Sequence, residues 1–317
     1  MKFLENLITK PKTFQRTIGL SIEQFKLFSN AIKEAWERAE QQRKSNRERK
    51  RKIGAGHPYK LNLEQLLFVT LLYYKAYLTQ ELIGVLVGLD QANVSRLLAK
   101  TRGIIELAAD PELKTYLAKA KEEYDQIRPE NRINDWAAFI KKYPDLKEAS
   151  SDATEQQCHR SQDNEIQKKH YSGKRKLHTL KTQITASESG RVLDVTESFP
   201  GSIHDKKFMD QDKTIQKIPE NTCHRLDSGY QGVPKENPEH YIIIPIKKPR
   251  KEELSPFAKE LNTVHSKRRV IVENVFSRFK KFKICKYVFR GPIKTYNQTF
   301  RNIAALLNFR LKNAAII

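Results

Sequence analysis

The segment from residue 262 to residue 283 carries charged and apolar side chains on opposite faces of one predicted helix. Arg269, Glu273 and Lys280 are spaced by four and seven residues, which places them on one face of an α-helix. The opposite face is apolar and consists of Val264, Ile271, Val275, Phe279 and Phe282. The pattern predicts a half-buried helix. Its charged face suits either ordinary charge pairs or a metal ion held next to a phosphate.

Two acidic motifs precede this helix. The first spans residues 152–155 and begins with Asp152, and the second spans residues 226–232 and carries Asp227. Between them, residues 171–181 form a basic run, and Leu177 to Thr185 is predicted to form a strand. Residues 149 to about 312 alternate strand and helix signals, which predicts a mixed sheet with helices.

Asp205 is a rival to Asp227 for the second of these carboxylates. We prefer Asp227 because a predicted strand, Thr222 to Asp227, leads directly into it. Asp205 instead follows a Pro-Gly turn, so we expect it to cap the helix that comes next.

The motifs, taken in order, resemble those of a known family. Residues 152–280 carry a D-x-T-E element, a ysGKk-x-HtlK strand, a PGS-x-HD turn, a D-x-GYqG element and an R-x3-E-x6-K helix. In this the chain is similar to DDE-superfamily insertion-sequence transposases of the PIF/Harbinger-related branch. The resemblance implies an α/β RNase H-like catalytic domain, a mixed sheet flanked by helices, preceded by an all-α helix-turn-helix region.

The resemblance also implies roles for individual residues. Asp152, Asp227 and Glu273 would be the catalytic carboxylates and would hold Mg²⁺ or Mn²⁺, as two ions, for phosphodiester cleavage and strand transfer. Arg269 and Lys280 would bind DNA phosphates near that site. Carboxylates are the hard oxygen ligands that such ions prefer.

The chain is predicted to divide into four regions. They are a basic helical N-terminal segment (1–56), a helix-turn-helix DNA-binding domain (57–108), a helical linker (109–148) and the RNase H-like catalytic domain (149–317). In the first region, Ser21 and Gln24 have the spacing of a capping box. The basic run at 43–52 is predicted to contact phosphate. In the linker, Trp136 is predicted to anchor the chain against a neighbouring surface.

The second region has the pattern short helix, glycine turn, longer helix. Thr79 precedes a helix from Gln80 to Val87, Gly88 supplies the turn, and a helix from Gln91 to Thr101 follows. The face of this last helix that we expect to contact DNA carries Gln91, Asn93, Ser95, Arg96 and Lys100. Amide, hydroxyl and guanidinium groups of this kind bind base edges and phosphates.

The charge of the chain agrees with a nucleic-acid partner. Its 317 residues have a formal net charge of +22, an excess that a polyanion would neutralise. The charge therefore favours a nucleic-acid partner. The resemblance implies that this partner is double-stranded DNA, both element terminal inverted repeats and target DNA, and that a homodimer binds it. The apolar runs are too short to suggest a membrane protein, and three scattered cysteines suit a reducing, cytoplasmic, nucleoid-associated location.

One feature leaves the function open. Residues 148–151, just before Asp152, have little apolar content for a central strand. The sequence therefore allows a DNA-binding protein derived from a transposase but without cleavage activity. A nuclease that cuts DNA without integrating it is a further possibility.

Overall fold

The computed structural model describes residues 1–45, 60–249 and 252–314, apart from the side chains of residues 43–45 and 109–114. The chain forms two compact units. The helical unit is drawn from Met1–Asp110, Lys280–Lys286 and Arg301–Ile317, and the sheet unit from Pro111–Phe279 and Tyr287–Phe300. The basic run at 43–52 lies outside the described side chains, so its predicted role stays a prediction.

The N-terminal part of the chain is helical. Its helices are α1 (Lys2–Ile8), α2 (Pro11–Ile18), α3 (Ile22–Ser45), α4 (Leu63–Ala76), α5 (Gln80–Val87) and α6 (Gln91–Asp125). The capping box before α3 is confirmed. The Gln24 backbone nitrogen donates to Ser21 Oγ at 3.1 Å, and the Ser21 backbone nitrogen donates to Gln24 Oε1 at 3.2 Å. Phe14, which is fully buried, packs against Phe25 and Phe68 in the core.

The third predicted helix of the helix-turn-helix is much longer than expected. It was predicted to end at Thr101, but α6 continues to Asp125. The reason is that buried side chains recur at helical spacing beyond that point, at Leu117, Ala120 and Tyr124. Within the described ranges, no single helix is long and apolar enough to cross a bilayer. Helix α5 and the segment Gln91–Ala108 together have the length and apolar composition of a span, but the pair is bent by 98°.

The turn between α5 and α6 has the conformation that the sequence predicts. Thr79 Oγ1 accepts a hydrogen bond from the Leu82 nitrogen at 3.3 Å, and Gly88 ends α5 with a φ of 71°. Gly84 is required there, because a Cβ atom on it would lie 2.3 Å from the Leu89 carbonyl oxygen. The close approach of helix and turn fixes the angle at which α6 begins.

The remainder of the chain contains a mixed sheet with helices, as predicted. Its elements in chain order are α7 (Arg132–Lys142), β1 (Glu148–Gln157), α8 (Asn164–His170), β2 (Tyr171–Ser172), β3 (Leu177–Ser187), β4 (Val192–Val195), β5 (Phe199–Pro200), α9 (Asp205–Asp212), β6 (Cys223–Arg225), α10 (Val233–Glu236), β7 (Ile242–Ile243), α11 (Pro256–Lys280) and α12 (Lys294–Lys312). The strand order is β2-β3-β1-β6-β7, with β4 and β5 also paired to β3. Strand β1 is antiparallel to β3 and parallel to β6, and β6 is parallel to β7.

Helix α7 anchors the predicted linker segment. Phe139 is buried in a cluster with Tyr124, and Trp136 stacks on Phe139 with ring centroids 5.5 Å apart. Ile140 packs against the same cluster. The prediction that Trp136 has a packing role is therefore confirmed.

Strand β1 is a full central strand in spite of its polar sequence. It extends over ten residues and pairs with β3 from Ala149 to Gln157. Hydrogen bonds replace apolar packing at Ser151, whose Oγ lies 2.6 Å from Thr185 Oγ1 and 2.7 Å from His224 Nε2. Burial lowers the pKa of His224 to about 3, so this ring is neutral. The concern raised by the thin sequence before Asp152 is thus removed.

The predicted apolar stripe of the α11 segment is confirmed in part: Val275, Phe279 and Phe282 are buried, and Ile271 is half-buried. Val264 was expected to face the core, but it is 49% exposed. The buried side chains of the helix are Ala258, His265, Val272, Val275, Phe276 and Phe279. His265 Nε2 lies 2.9 Å from the Leu226 carbonyl oxygen at the end of β6. This contact turns the next residue on that face, Arg269, towards the sheet.

Candidate active site

Asp152 lies near the middle of β1, where it is paired with Ile184 of β3. One carboxylate oxygen, Oδ1, accepts a hydrogen bond from the Ala153 nitrogen at 2.8 Å. The other, Oδ2, is 3.3 Å from a terminal nitrogen of Arg269 on α11. Strand β1 thus holds the half-buried carboxylate of Asp152 next to the guanidinium group of Arg269 on α11.

The surroundings of Asp152 raise the pKa of its carboxyl group above the usual value. Burial, reinforced by the nearby negative charges of Asp227 and Asp205, raises the pKa of Asp152 to about 6. Arg269 and the Ala153 hydrogen bond lower it, but they do not compensate. A carboxylate destabilised in this way, beside two others, is a good ligand for an added cation because the cation removes the repulsion.

Asp227 follows β6 directly, as predicted from the sequence. Its Oδ1 accepts a hydrogen bond from the Gly229 nitrogen at 2.6 Å, which closes a tight turn. The turn is anchored by Tyr230, a fully buried residue whose hydroxyl donates to Gln183 Oε1 at 3.1 Å. This hydrogen bond to Gln183 therefore ties the Asp227 turn to strand β3.

Asp205 does not cap the helix that follows it, so that prediction is wrong. It is the first residue of α9, and the N-cap residue is His204, which makes no side-chain capping bond. The Asp205 carboxylate is used elsewhere: its Oδ1 accepts a hydrogen bond from Lys181 Nζ at 2.8 Å. A buried ammonium needs a counter-charge more than a helix end does. The sequence reading missed this role of Lys181, although a lysine within a buried-type strand was the available signal.

Glu273 and Lys280 share a face of α11 with Arg269 but differ from it in exposure. Both are exposed, whereas the Arg269 side chain is only 13% exposed. In residues 1–45, 60–249 and 252–314, no three Asp, Glu, His or Cys side chains lie close enough together to form a metal site. Asp227 and Asp205 are near enough to Asp152 to raise its pKa, and Arg269 pairs with it, but these carboxylates do not form a three-ligand cluster as they stand. Glu273 is exposed, one turn beyond Arg269 on α11.

The chemistry of the site suits a divalent cation and a phosphate. The available donors are carboxylate oxygens, which are hard ligands of the type that Mg²⁺ and Mn²⁺ bind. Arg269 Nε is buried and has no hydrogen-bond partner among the described residues. Guanidinium groups commonly bind phosphate oxygens, and a phosphate at the site would contact the small part of the Arg269 side chain, 13%, that is exposed.

The helix-turn-helix carries only part of the predicted DNA-contacting face. Gln91, Asn93 and Arg96 are exposed, and Arg96 donates to Asn93 Oδ1 at 3.0 Å. Ser95 is half-buried. Lys100 was expected on the exposed face, but its ammonium pairs with Glu40 and lies 4.1 Å from the Trp36 ring centroid. Helix α3 thus engages the cation that the sequence assigned to DNA.

Comparison with known proteins identifies the two parts of the chain. Residues 151–308 match the family described as DDE superfamily endonuclease, and residues 59–109 match the helix-turn-helix of DDE superfamily endonuclease. The chain belongs to the DDE superfamily of insertion-sequence transposases. A probable transposase for insertion sequence element IS702, from Microchaete diplosiphon, is 27% identical over 301 residues, which are 95% of each protein. No solved structure matches the chain significantly.

Membership of the DDE superfamily agrees with the fold. A helical N-terminal region with a helix-turn-helix, followed by a mixed sheet flanked by helices, is the architecture expected of an RNase H-like DDE transposase. Endonucleases of this superfamily generally use divalent metal ions. The helix-turn-helix and the transposase domain both support DNA as the partner.

Proposed function

We propose that this transposase binds the terminal inverted repeats of its element as a homodimer, cleaves their phosphodiester bonds and joins the 3′ ends to target DNA. The observation that carries the proposal is the contact between Asp152 and Arg269, beside the Asp227 turn. A paired carboxylate and guanidinium next to a second carboxylate supply groups for a cation and for a phosphate in one place.

Each side chain has a part in the proposed reaction. Asp152, Asp227 and Glu273 would hold the divalent cations, two Mg²⁺ or Mn²⁺ ions. When bound there, such ions acidify a water or a 3′-hydroxyl and stabilise charge on the leaving oxygen. Arg269 would orient the scissile phosphate through its guanidinium group, which is paired with Asp152. Lys280, two turns beyond Glu273, holds a neighbouring phosphate.

The helix-turn-helix would select the DNA to be cut. Arg96 and Asn93 are exposed near the start of α6, where a recognition helix contacts base edges. Gln91 is exposed too, and its amide donates to Gln80 Oε1 at 3.0 Å. Base contacts from these residues would give the preference for the element ends, and backbone contacts would add affinity without sequence preference.

A cleavage assay tests the proposal. The substrates are labelled duplexes with the sequences of the terminal inverted repeats in the DNA that flanks the gene. The full-length protein is incubated with them, with and without Mg²⁺ or Mn²⁺. We expect metal-dependent nicking at the ends, followed by joined products when a target plasmid is present. Asp152→Asn should abolish both, while the control Glu165→Gln, on exposed helix α8, should retain both.

The same assay separates the alternatives. Specific binding with no cleavage in either metal would contradict the proposal and favour a DNA-binding protein derived from a transposase. Cleavage without joined products would show a nuclease that does not integrate. The complete central strand β1 supports cleavage activity, because the thin sequence before Asp152 was the main feature that favoured a protein without it.

A further inference from the structure

Lys181 and Asp205 belong to two sequence motifs that have no role in the proposed catalytic triad, and the structure brings the two side chains into contact. Lys181, on β3, lies opposite Glu155 of β1, and Asp205 is the first residue of α9. Lys181 Nζ donates to Asp205 Oδ1 at 2.8 Å and to the Ile203 carbonyl oxygen at 2.7 Å. The Lys181 side chain is 7% exposed. A buried ammonium with two hydrogen bonds of this kind is held in one position, and it holds Asp205 in turn.

Glu155 completes the surroundings of this ammonium. Its Oε1 lies 3.7 Å from Lys181 Nζ, and its Oε2 accepts a hydrogen bond from Thr179 Oγ1 at 3.0 Å. The Glu155 side chain is almost as buried as that of Lys181, whereas the Asp205 side chain is 27% exposed. One cation therefore faces two carboxylates, which leaves a net negative charge on the more open side, at Asp205.

The second oxygen of Asp205 faces the Asp227 turn. A Cβ atom placed on Gly229 would lie 3.6 Å from Asp205 Oδ2 and 2.9 Å from Asp227 Oδ1. Helix α9 packs against this turn. The charge of Asp205 also reaches Asp152, where it helps to raise the pKa of that carboxyl group. Asp205 thus lies at the edge of the site, with Oδ1 held by Lys181 and Oδ2 facing the Asp227 turn.

We propose that Asp205 is a positioning residue of the active site, fixed by Lys181, and that its negative charge strengthens the binding of a divalent cation by Asp152 and Asp227. The inference rests on the proposed function, because it assumes that these two carboxylates hold the cation. Asp205 acts through the electrostatic potential at the site and through the shape of the Asp227 turn. A charge next to the site that is only 27% exposed is screened less than one on the open surface.

The test measures Mn²⁺ binding to the DNA-free full-length protein by calorimetry. Asp205→Asn removes the charge but keeps an oxygen that accepts from Lys181, so the fold is preserved. We expect the Mn²⁺ dissociation constant to rise about tenfold, as removal of one nearby charge implies. Asp210→Asn, on the same helix and paired with Lys206, is the matched control and should bind Mn²⁺ as the wild type does.

A double-mutant cycle tests the part played by Lys181. If Lys181 acts by holding Asp205, Lys181→Met should weaken Mn²⁺ binding, and adding it to Asp205→Asn should cause little further loss. Independent, additive losses would overturn the pairing. If Lys181→Met does not fold, as circular dichroism would reveal, Asp205→Asn alone decides. Wild-type Mn²⁺ affinity in Asp205→Asn overturns the inference.

The outcomes distinguish this inference from the proposed function. Asp152→Asn should remove the same Mn²⁺ site, which identifies the site being measured. Weakened Mn²⁺ binding in Asp205→Asn, in a protein whose wild type cuts no DNA, would support the inference and contradict the proposed function. Normal cleavage by the wild type together with unchanged Mn²⁺ binding in Asp205→Asn would do the reverse.

Discussion

A terminal nitrogen of Arg269 lies 3.3 Å from Asp152 Oδ2, so the signature helix α11 contacts the central strand β1 through a charged pair. The two residues are 117 positions apart in the chain. The pair joins the first acidic motif to the helix that carries the third, and it defines where a phosphate and a cation would meet. Each of the following predictions tests a group in or near this arrangement.

Asp152, Asp227 and Glu273 should each be necessary for catalysis. Changing any one to Ala should abolish Mg²⁺- or Mn²⁺-dependent cleavage, because each removes a carboxylate ligand, while DNA binding stays close to that of the wild type. Gel-shift and cleavage assays on the same preparations check this. Wild-type cutting by Asp227→Asn, with cutting lost in Asp205→Asn, would show that the second carboxylate is misassigned.

Arg96 should contribute to the recognition of the element ends. Arg96→Ala should weaken binding to the cognate end by about 1–3 kcal/mol and weaken binding to random duplex less, because an arginine on a recognition helix reads guanine. Affinity should also fall steeply with salt, with a slope near about −0.9 per phosphate neutralised. Equal losses on both DNAs would make Arg96 a backbone contact.

Lys280 should position DNA and leave metal binding unchanged. An ammonium cannot ligate a cation, so Lys280→Ala should raise the DNA concentration needed for half-maximal cleavage and slow strand joining. The Mn²⁺ midpoint of cleavage should stay where it is. Titrations of DNA and of Mn²⁺ decide between the two roles, since a shifted Mn²⁺ midpoint with unchanged DNA dependence would assign Lys280 to the metal site.

Gly229 should be intolerant of a side chain. Its added Cβ would lie 2.9 Å from Asp227 Oδ1, so Gly229→Ala should displace that carboxylate and lower the cleavage rate, on the order of tenfold or more. Gly173→Ala is the matched control, because a Cβ there meets nothing within 4 Å. Equal rates for the two variants in single-turnover cleavage would argue against a crowded Asp227 turn.

The buried His224 should make stability depend on pH. Its pKa in the folded protein is about 3, below the usual value of 6.5, so the unfolded chain binds more protons between these values and stability rises with pH there. The expected slope is about 1.4 kcal/mol per pH unit for one proton. His224→Gln should flatten urea-derived stability over this window, whereas His159→Gln, at an exposed position, should leave the slope unchanged.

The sequence predicted the elements whose pattern is local. The capping box at Ser21, the glycine turn at Gly88 and the strand that leads into Asp227 all follow from neighbouring residues, and all are present. The chain order of the acidic motifs also indicated the family. These features depend on spacing along the chain, which a single sequence displays directly.

Features that depend on distant partners could not be predicted in this way. Val264 was assigned to the apolar stripe of α11, but it is exposed, and the side chain that faces the end of β6 in that turn is His265. Lys100 pairs with Glu40, which lies 60 residues away. Asp205 was assigned to its own helix because nothing local to it indicates Lys181. In each case a long-range polar contact outweighed the local pattern.

The hydrogen bonds of Ser151 have a consequence for how reliably the protein folds. Successive residues of a strand point to opposite faces, so a slip of β1 by one position would turn Asp152 away from Arg269. The same slip would leave Ser151, Thr185 and His224 buried without partners, at a cost of about 1–3 kcal/mol each. Alignment errors in this strand are therefore penalised by residues that take no part in the chemistry. A strand of valines would have no such hydrogen bonds to lose, so it would discriminate less well between the correct register and one shifted by a residue.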